Sequence, residues 1–330
     1  MSRSRERVAR KPGVSITVVV YNSDHCVRDC LRSVRQAVRE GKAELIVVDN
    51  ASPDQSAWLV SEEFPEAKLM RSDFNRGFAG GCNLAWPHAS GEYWFLLNPD
   101  VIVPSGGLER LVQWMEEHPE VGAASPGLVD STGHDASVAR RFPTLTGSLL
   151  EMLRLHLLMP RARRAEVLLG AYWPSVKDHL NVDWVPGTAM IVRREAVESA
   201  GLLSERALMY GEDTEWCWRI RRAGWRIGVC GGLRFQHDEG QSAIRTWGET
   251  DRRRHMWRGM YAACVQMRGS FYSRLLMATN ALALLIETYH PRRTQGERAR
   301  ASDDLRAHAE MFRGETWPPL QRGNGASVAP

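Results

Sequence analysis

Polar side chains follow three apolar segments of the sequence, at the point where each segment ends. The segments "VSITVVVYN", "ELIVVDN" and "EYWFLLNPD" are rich in β-branched and aromatic residues and finish in Asn or Asp. Carboxylate and amide side chains can pair with the donors and acceptors of a nucleotide base, whereas a diphosphate needs a cation or amides to offset its charge. The candidates for such contacts are Tyr21, Asn22, Asp49, Asn50, Asn98 and Asp100.

Asp100 is the candidate metal ligand in this group. It follows the Asn98-Pro99 turn, and its carboxylate could supply one hard oxygen to Mg²⁺ or Mn²⁺ that also bridges phosphate oxygens. The alternative is a structural role, because Asn, Asp, Ser and Pro are the residues that turns and helix caps use. Three polar strand ends in register favour a binding edge.

A second group of candidates lies later in the chain. In "MYGEDTEWCWRIRRAGW", Glu212 and Asp213 fall at a predicted helix N-terminus, where backbone amides favour an ionised carboxylate. Asp213 could accept a proton from a hydroxyl group, or it could cap the helix. His237, in "LRFQHDEGQS", follows a predicted short strand and could be a metal ligand or a structural histidine.

The segment "NRGFAGGCN", residues 75–83, opens a predicted helix. Its glycines, Gly77 among them, permit close approach of a backbone or a phosphate, and Arg76 beside Asn75 could meet negative charge. The GxGxxG order of a dinucleotide site is absent, as is a Walker lysine. The loop alone therefore does not define a ligand.

Strand and helix patterns alternate four times between residues 14 and 98. Nearly continuous apolar strands in such an alternation indicate an α/β fold, in which a mainly parallel sheet is covered by helices on both faces. Ligands of these sheets bind at the carboxyl ends of the strands. The first group of polar residues lies at those ends.

Together, the ordered motifs "VVVYN", "VDNAS", "NRGFAGGCN", "LNPD" and "GED", with His237, resemble the family 2 glycosyltransferases of GT-A fold, in particular their rhamnosyltransferase-like branch. The resemblance covers about residues 13–245. It implies a nucleotide diphosphate sugar as donor, with dTDP-rhamnose favoured and UDP-sugars such as UDP-galactofuranose as alternatives. The predicted reaction is an inverting transfer to a hydroxyl group of a glycan or a polyisoprenoid-linked acceptor.

The same resemblance implies roles on the donor side of the site. Asp49, with Asn50 beside it, would contact the base. The metal-binding DxD motif of the family falls on Asn98-Pro99-Asp100, where Asn98 replaces the first acid. Asp100 would therefore carry more of the Mg²⁺ or Mn²⁺ binding, and His237 would complete the metal site.

On the acceptor side, the resemblance makes Asp213 the catalytic base, with Glu212 beside it. The segment "DWVPGTAMIVRREA", residues 183–196, is predicted to be a strand and turn between the donor half and this base. Trp184 and Gly187 are its candidate residues, although a tryptophan on a strand is more often part of the core.

Composition limits the other possibilities. The 330-residue chain is 43% hydrophobic and 25% charged, which is typical of a folded protein with a large core. Residues 241–330 hold 14 basic and 8 acidic side chains, whereas residues 1–240 are near neutral. This distribution argues against nucleic acid as a partner and places any attraction to anionic surfaces at the C-terminal end. The six cysteines form no CxxC pair, and the basic N-terminus is not followed by an uncharged apolar stretch that ends in small residues, so a cytoplasmic protein is predicted.

The predicted organisation has four parts. Residues 1–12 form a flexible basic tail, 13–245 a GT-A domain, 246–320 a helical C-terminal extension and 321–330 a disordered tail. The GT-A domain divides into a nucleotide-sugar half at 13–125 and an acceptor half at 126–245. The sequence makes no prediction of the oligomeric state.

Two apolar helical stretches, at 144–160 and 275–286, are shorter than the ~20 residues needed to span a bilayer. They are predicted to be core helices or, with the arginines beside them, to touch the inner face of a membrane. Such peripheral contact would suit a lipid-linked acceptor.

Two other classes of protein are alternatives to a transferase. A sugar nucleotidyltransferase needs a glycine-rich loop with Arg and Lys after the first strand, where this chain has "YNSD". A non-catalytic carbohydrate-binding or scaffold domain would have no need of Asp100, Asp213 and His237. Both classes are disfavoured on these grounds.

Overall fold

The computed structural model describes residues 13–169, 177–206, 209–237 and 241–314, with the backbone alone for 241–247. The tails predicted at 1–12 and 321–330 lie outside these residues. The described chain forms a ten-stranded sheet with helices packed on it, followed by a group of long helices. This arrangement confirms the predicted α/β fold with a helical C-terminal part.

The strands form one mixed sheet in the order β3-β2-β1-β4-β9-β6-β10-β5, with β7 beside β6 and β8 beside β10. Their bounds are β1 Val14–Val20, β2 Ala43–Asp49, β3 Lys68–Arg71, β4 Tyr93–Leu97, β5 Val101–Ile102, β6 Val121–Val129, β7 Asp135–Ala136, β8 His179–Val182, β9 Ala189–Arg193 and β10 Arg226–His237. The first four strands are parallel, as predicted. Strand β9 runs antiparallel to both β4 and β6, so the sheet is mixed beyond β4.

The helices alternate with the strands up to β4 and then cluster near the C-terminus. They are α1 Val27–Arg39, α2 Ser56–Glu63, α3 Gly77–Ala85, α4 Gly107–Glu117, α5 Leu145–Met152, α6 Arg161–Leu168, α7 Arg194–Ala200, α8 Glu212–Arg222, α9 Gln241–Arg268, α10 Ser270–Tyr289 and α11 Gln295–Phe312, with 3₁₀ turns at Trp86–His88 and Leu155–Leu158. Helix α9 is interrupted at Gly248, which has non-helical backbone angles.

Local sequence explains these elements. Strand β4 is buried along its whole length, and β1 and β2 almost so, as expected of central strands covered on both faces. Helix α1 buries Val27, Cys30, Leu31, Val34 and Ala37, a spacing of three and four residues that forms one apolar stripe.

Aromatic contacts fix helix α8 against the sheet. Trp94 of β4 meets Trp216 of α8 edge to face, with ring centroids 5.8 Å apart. The indole N–H of Trp94 donates to Thr17 Oγ1 and that of Trp216 donates to Gly201 O. Since both indoles are fully buried and hydrogen-bonded, helix α8 is fixed against β4.

The helices after the sheet have a small core of their own. Tyr261, Cys264 and Leu276 are buried between α9, α10 and α11. Tyr261 Oη lies 2.7 Å from His308 Nε2 and accepts from Asn280 Nδ2. None of the described helices is long and apolar enough to cross a bilayer.

Candidate active site

The candidate residues of the first group share the carboxyl edge of β1, β2 and β4. Asp49 ends β2, and the N–H of Asn50 donates to Val20 O at the end of β1. Tyr21 and Asn22 follow β1, and Asn22 has a positive φ of 55°. The parallel pairing of these strands therefore brings their polar ends together, as the sequence predicted.

Asn50 holds the loop that contains Asn75, Arg76 and Gly77. Its Nδ2 donates to Asn75 Oδ1 and to Gly77 O, both at 3.0 Å, and its Oδ1 accepts from the N–H of Arg76 at 2.9 Å. Asn50 is 2% exposed. The amide of Asn50 therefore positions this loop through hydrogen bonds inside the protein.

Arg76 lies at the start of α3 and is held at its stem. Its Nε donates to Ser72 Oγ at 3.0 Å, and its guanidinium carbon lies 4.5 Å from the centre of the Phe74 ring.

Helix α3 can approach β1 closely because Gly81 has no Cβ; a Cβ at this position would lie 2.6 Å from Val19 Cγ1. The glycines thus serve close packing of a helix on a strand.

A carboxylate that sequence reasoning missed ties the first two strand ends together. Asp54 Oδ2 accepts from the N–H of Asp24, and its Oδ1 accepts from the N–H of Ser56. Ser56 Oγ in turn accepts from the N–H of Ser23. Asp54 therefore fixes the loop after β1 against the loop after β2. Its place just before a helix, in "DQS", is a capping signal that could have drawn attention to it.

Asp100 and His237 meet because of one strand pairing. Strand β5 follows Asp100 directly and pairs antiparallel with the end of β10, with Val101 opposite His237. His237 Nε2 lies 3.4 Å from Asp100 Oδ1, and both side chains are largely buried. The strand that ends at His237 is twelve residues long, not short as predicted.

Asp213 lies at the N-terminal end of α8 and contacts the turn before β9. Its Oδ2 accepts from the N–H of Gly187 at 3.2 Å, and its Oδ1 accepts from the N–H of Thr214 at 2.7 Å. Thr188, which follows Gly187 in the chain, accepts through its carbonyl from the N–H of Asn98. Two short hydrogen-bonded steps therefore connect Asp213 to the turn that carries Asp100.

The two acids at this helix terminus are both shifted toward the neutral form. Burial raises the pKa of Glu212 to about 8, and the neighbouring Asp213 adds to the shift. Burial also raises the pKa of Asp213, while hydrogen bonds from Gly187 and Thr214 act in the opposite direction. An acid with a raised pKa can act as a proton acceptor near neutral pH.

Backbone packing against α9 supports the loop before these acids. Tyr210 has a positive φ of 69° and Gly211 one of 87°. A Cβ on Gly211 would lie 2.2 Å from Gly259 O, and one on Gly259 would lie 2.1 Å from Tyr210 O. Only glycines permit this approach of two backbones. Sequence reasoning missed Gly259, because a glycine inside a helix gives no sign of what it contacts.

The acceptor-side candidates have different surroundings. Gly187 is buried, and a Cβ there would lie 2.9 Å from the Phe78 ring of α3. Trp184 is half-buried, donates from Nε1 to Arg141 O at 2.9 Å and packs against the main core. These contacts support a packing role for Trp184.

Asp100 and His237 together offer one carboxylate and one imidazole to a divalent cation. No group of three metal-binding side chains occurs among the described residues, so the protein would supply two ligands there. His237 Nδ1 is buried and has no hydrogen-bond partner within the described chain. One carboxylate oxygen and one imidazole nitrogen suit Mn²⁺, and cations at such sites take further ligands from phosphates and water. The residues present fit the ion.

Solved structures of other proteins share the fold of this chain. A mannosyltransferase from Pyrobaculum calidifontis, in complex with GDP-Man and Mn²⁺, matches with a TM-score of 0.56 at 17% identity, over 93% of this chain and 89% of its own. Staphylococcus aureus TarS 1–349, in complex with UDP-GlcNAc, matches with a TM-score of 0.51 at 15% identity, over 95% and 98%. The fold is that of the GT-A glycosyltransferases.

Sequence relatives agree with this class. Residues 15–162 match the model of glycosyl transferase family 2. The N-acetylglucosaminyl-diphospho-decaprenol L-rhamnosyltransferase of Mycobacterium tuberculosis is 26% identical over 233 residues, 64% of this chain and 71% of that protein. The low-salt glycan biosynthesis hexosyltransferase Agl10 of Haloferax volcanii is 26% identical over 222 residues, 66% of this chain and 64% of its own length. The predicted glycosyltransferase class is confirmed, and the two competing classes are set aside.

Replacing Gly259 by Ala is expected to lower turnover, because the new Cβ would push against Tyr210 O and move the loop that carries Asp213. A displacement of about 1 Å at a reacting group costs on the order of 10²-fold in rate. Steady-state kinetics should show a lower kcat with a nearly unchanged KM for the donor. Gly296→Ala, at a glycine with nothing within 4 Å, is the matched control. Wild-type kcat in Gly259→Ala would mean that α9 does not set the position of Asp213.

Glu212→Gln is expected to flatten the dependence of stability on pH. Because the folded-state pKa of about 8 lies above the ordinary value of 4.5, the stability linked to this proton is fully present below about pH 4.5 and is lost as pH rises through 8. Urea unfolding at pH 5 and pH 8 should show a decline in the wild type that is smaller in Glu212→Gln by on the order of 2 kcal/mol or more. Glu116→Gln, at an exposed position of α4, should follow the wild type. Equal slopes in all three proteins would contradict the assignment.

Proposed function

We propose that this chain transfers a sugar from a nucleotide diphosphate donor to a hydroxyl group of a glycan or polyisoprenoid-linked acceptor, with dTDP-rhamnose as the first candidate donor. The name of the Mycobacterium tuberculosis relative supports both rhamnose and a lipid diphosphate acceptor. UDP-sugars such as UDP-galactofuranose are the competing donors. The observation that carries the proposal is the hydrogen-bonded path from the turn of Asp100, through Thr188 and Gly187, to Asp213.

Donor binding would use the edge of β1 and β2. Asp49 is 6% exposed and its Oδ1 accepts from the N–H of Ser52, which fixes the carboxylate where it can pair with a base. Tyr21 and Asn22 lie beside it on the loop that Asp54 holds. Asn50 contributes by holding the Asn75-Arg76-Gly77 loop, so that the Arg76 guanidinium can face the diphosphate.

The diphosphate also needs a positive counter-charge. In this proposal Asp100 and His237 hold Mg²⁺ or Mn²⁺, and Asn98 shapes the turn through its backbone. Its N–H donates to Thr188 O and its carbonyl accepts from the N–H of Val101. A divalent cation there would stabilise the negative charge of the leaving nucleoside diphosphate.

Asp213 is the proposed general base. The acceptor hydroxyl gives its proton to the Asp213 carboxylate as its oxygen forms a bond to the anomeric carbon. The bond from that carbon to the diphosphate oxygen breaks on the opposite side, so the configuration inverts. Glu212, which is 6% exposed and has an Oε2 atom without a hydrogen-bond partner among the described residues, keeps the local charge low while it is protonated.

The acceptor would enter from the side of the Gly187 turn. Gly187 presents its N–H to Asp213, and Trp184 lies three residues earlier on the same segment. A lipid-linked acceptor places the reaction at the inner face of a membrane, where a cytoplasmic enzyme makes peripheral contact.

Asp213→Asn is expected to lower turnover by on the order of 10²-fold or more, because removal of a general base has an effect of this size. Donor affinity should stay nearly intact, since Asp213 acts on the acceptor. Radiolabelled transfer measures the first quantity and calorimetric titration of the donor the second. Asp130→Asn, on an exposed turn after β6, serves as the control. Normal turnover in Asp213→Asn would remove this residue from the role.

A thermal-shift screen of nucleotide sugars, each with and without Mn²⁺, tests the donor and the metal site together. A donor at about 100 times its Kd stabilises the folded state by about 2.7 kcal/mol, so the correct nucleotide sugar raises Tm most. His237→Gln should abolish the part of the shift that depends on Mn²⁺, whereas His88→Gln, an exposed residue, should retain it. A larger shift with a UDP-sugar than with dTDP-rhamnose would overturn the rhamnose assignment. An unchanged Mn²⁺ response in His237→Gln would overturn the metal role.

A further inference from the structure

Helix α10 exposes a continuous stripe of large apolar side chains. Phe271 is 77% exposed and Tyr289, at the other end, is 78% exposed. The exposed members are Phe271, Leu275, Leu282, Leu285, Ile286 and Tyr289. Their spacing, in steps of three, four and seven except for the adjacent pair at 285 and 286, places them on one side of the helix. The opposite side of α10 packs on α9 and α11.

A second set of exposed leucines adjoins this stripe. These side chains belong to α5 and the 3₁₀ turn that follows it, and they are Leu149, Leu153, Leu155, Leu157 and Leu158. Leu158 is 81% exposed. Helix α5 packs on α10, Arg154 pairs with Glu287 at 3.1 Å, and the N–H of Leu145 donates to Tyr272 Oη. The two sets thus lie on neighbouring segments that pack together, and we call them together the apolar face.

The apolar face is larger than the scattered hydrophobic residues of an ordinary surface. Eleven large apolar side chains are exposed on two packed segments, and a concentration of this kind is typical of an interaction site. No partner for this patch occurs within the described part of the chain. The charges around the patch indicate what kind of partner binds to it.

The charges beside the apolar face are mainly positive. Arg161 and Arg163 follow the 3₁₀ turn within a few residues of Leu158, Arg274 lies on α10, and Arg292 follows the end of α10, all of them exposed. Arg164 folds α6 back onto the turn by donating to His156 O, Leu157 O and Met159 O. A cationic rim repels a second copy of itself and attracts an anionic surface.

We propose that the apolar face docks on the surface of an anionic lipid bilayer. The leucines and aromatic rings enter the interfacial region, and the arginines contact lipid phosphates. The inference rests on the proposed function, because a lipid-linked acceptor would reach the enzyme from this surface. A short stretch of chain links the apolar face to the acceptor-side segment. Leu145 of α5 follows Phe142, whose N–H donates to Asp183, the neighbour of Trp184.

Vesicle flotation tests the surface without any substrate. The full chain should float with phosphatidylcholine vesicles that contain phosphatidylglycerol, and bind less to phosphatidylcholine alone or at high salt. Leu158→Glu and Phe271→Glu should each weaken binding by about tenfold or more, since a charge replaces an apolar side chain that would enter the bilayer interface. Arg161→Gln with Arg163→Gln should weaken it by about fivefold for each arginine removed, and only on anionic vesicles.

Matched controls distinguish binding through the apolar face from nonspecific adsorption to vesicles. Trp58→Glu removes an exposed tryptophan from α2, and Arg300→Gln removes an exposed arginine from α11. Both should float like the wild type, and circular dichroism should show all variants folded. Full flotation of Leu158→Glu and Phe271→Glu, or absence of flotation in the wild type, would overturn the proposal. A dimer in sedimentation that Leu282→Glu dissociates, without vesicle binding, would assign the face to a second copy instead.

The outcome is distinguishable from failure of the proposed function. Transfer to a short water-soluble acceptor that retains the sugar end reports on the site alone. If Leu158→Glu loses vesicle binding but keeps this transfer, the docking surface is supported independently of the chemistry. If the wild type floats but transfers no sugar from any nucleotide donor, the proposed function fails while the surface stands.

Discussion

The turn formed by Gly187 and Thr188 joins the two sides of the candidate site. Thr188 O accepts from Asn98, on the donor side, and Gly187 N–H donates to Asp213, on the other side. The turn can do this because β9 runs antiparallel to β4, with Ala189 opposite Leu97. A one-residue change in this register would move both hydrogen bonds together. The relative position of Asp213 and the Asp100 turn therefore depends on the pairing of β9 with β4.

Charge is the second constraint on this edge of the sheet. Asp49, Asp100, Glu212 and Asp213 are carboxylic acids at a place where the proposed donor would bring a diphosphate. Burial offsets part of this conflict, because it holds the pKa of Glu212 near 8 and raises that of Asp213. Under the proposed function, Arg76 and a cation at Asp100 and His237 offset the rest. Proton and metal occupancy of the site would then be linked to donor binding.

The sequence predicted those features that depend on local pattern. The strands up to β4, the helix that begins at Glu212 and the polar strand ends could be read from apolar runs and from turn or cap residues. Features that depend on contacts between distant segments could not be read in this way. Three such contacts each join segments 25 or more residues apart. They are the hydrogen bonds of the Asn50 amide to the loop at Asn75, the hydrogen bond of Asp54 to Asp24, and the packing of Gly259 on Tyr210. The antiparallel strands beyond β4 were missed for the same reason.

The C-terminal helices connect two proposals that rest on different observations. Helix α9 carries Gly259, which packs on the loop before Asp213, and α10, which packs on α9, carries the stripe of the apolar face. Ser204 Oγ donates to Gln266 Oε1 and adds a second tie between that loop region and α9. Under the two proposals, the helical part of the chain would both contact the lipid surface and support the loop that precedes Asp213.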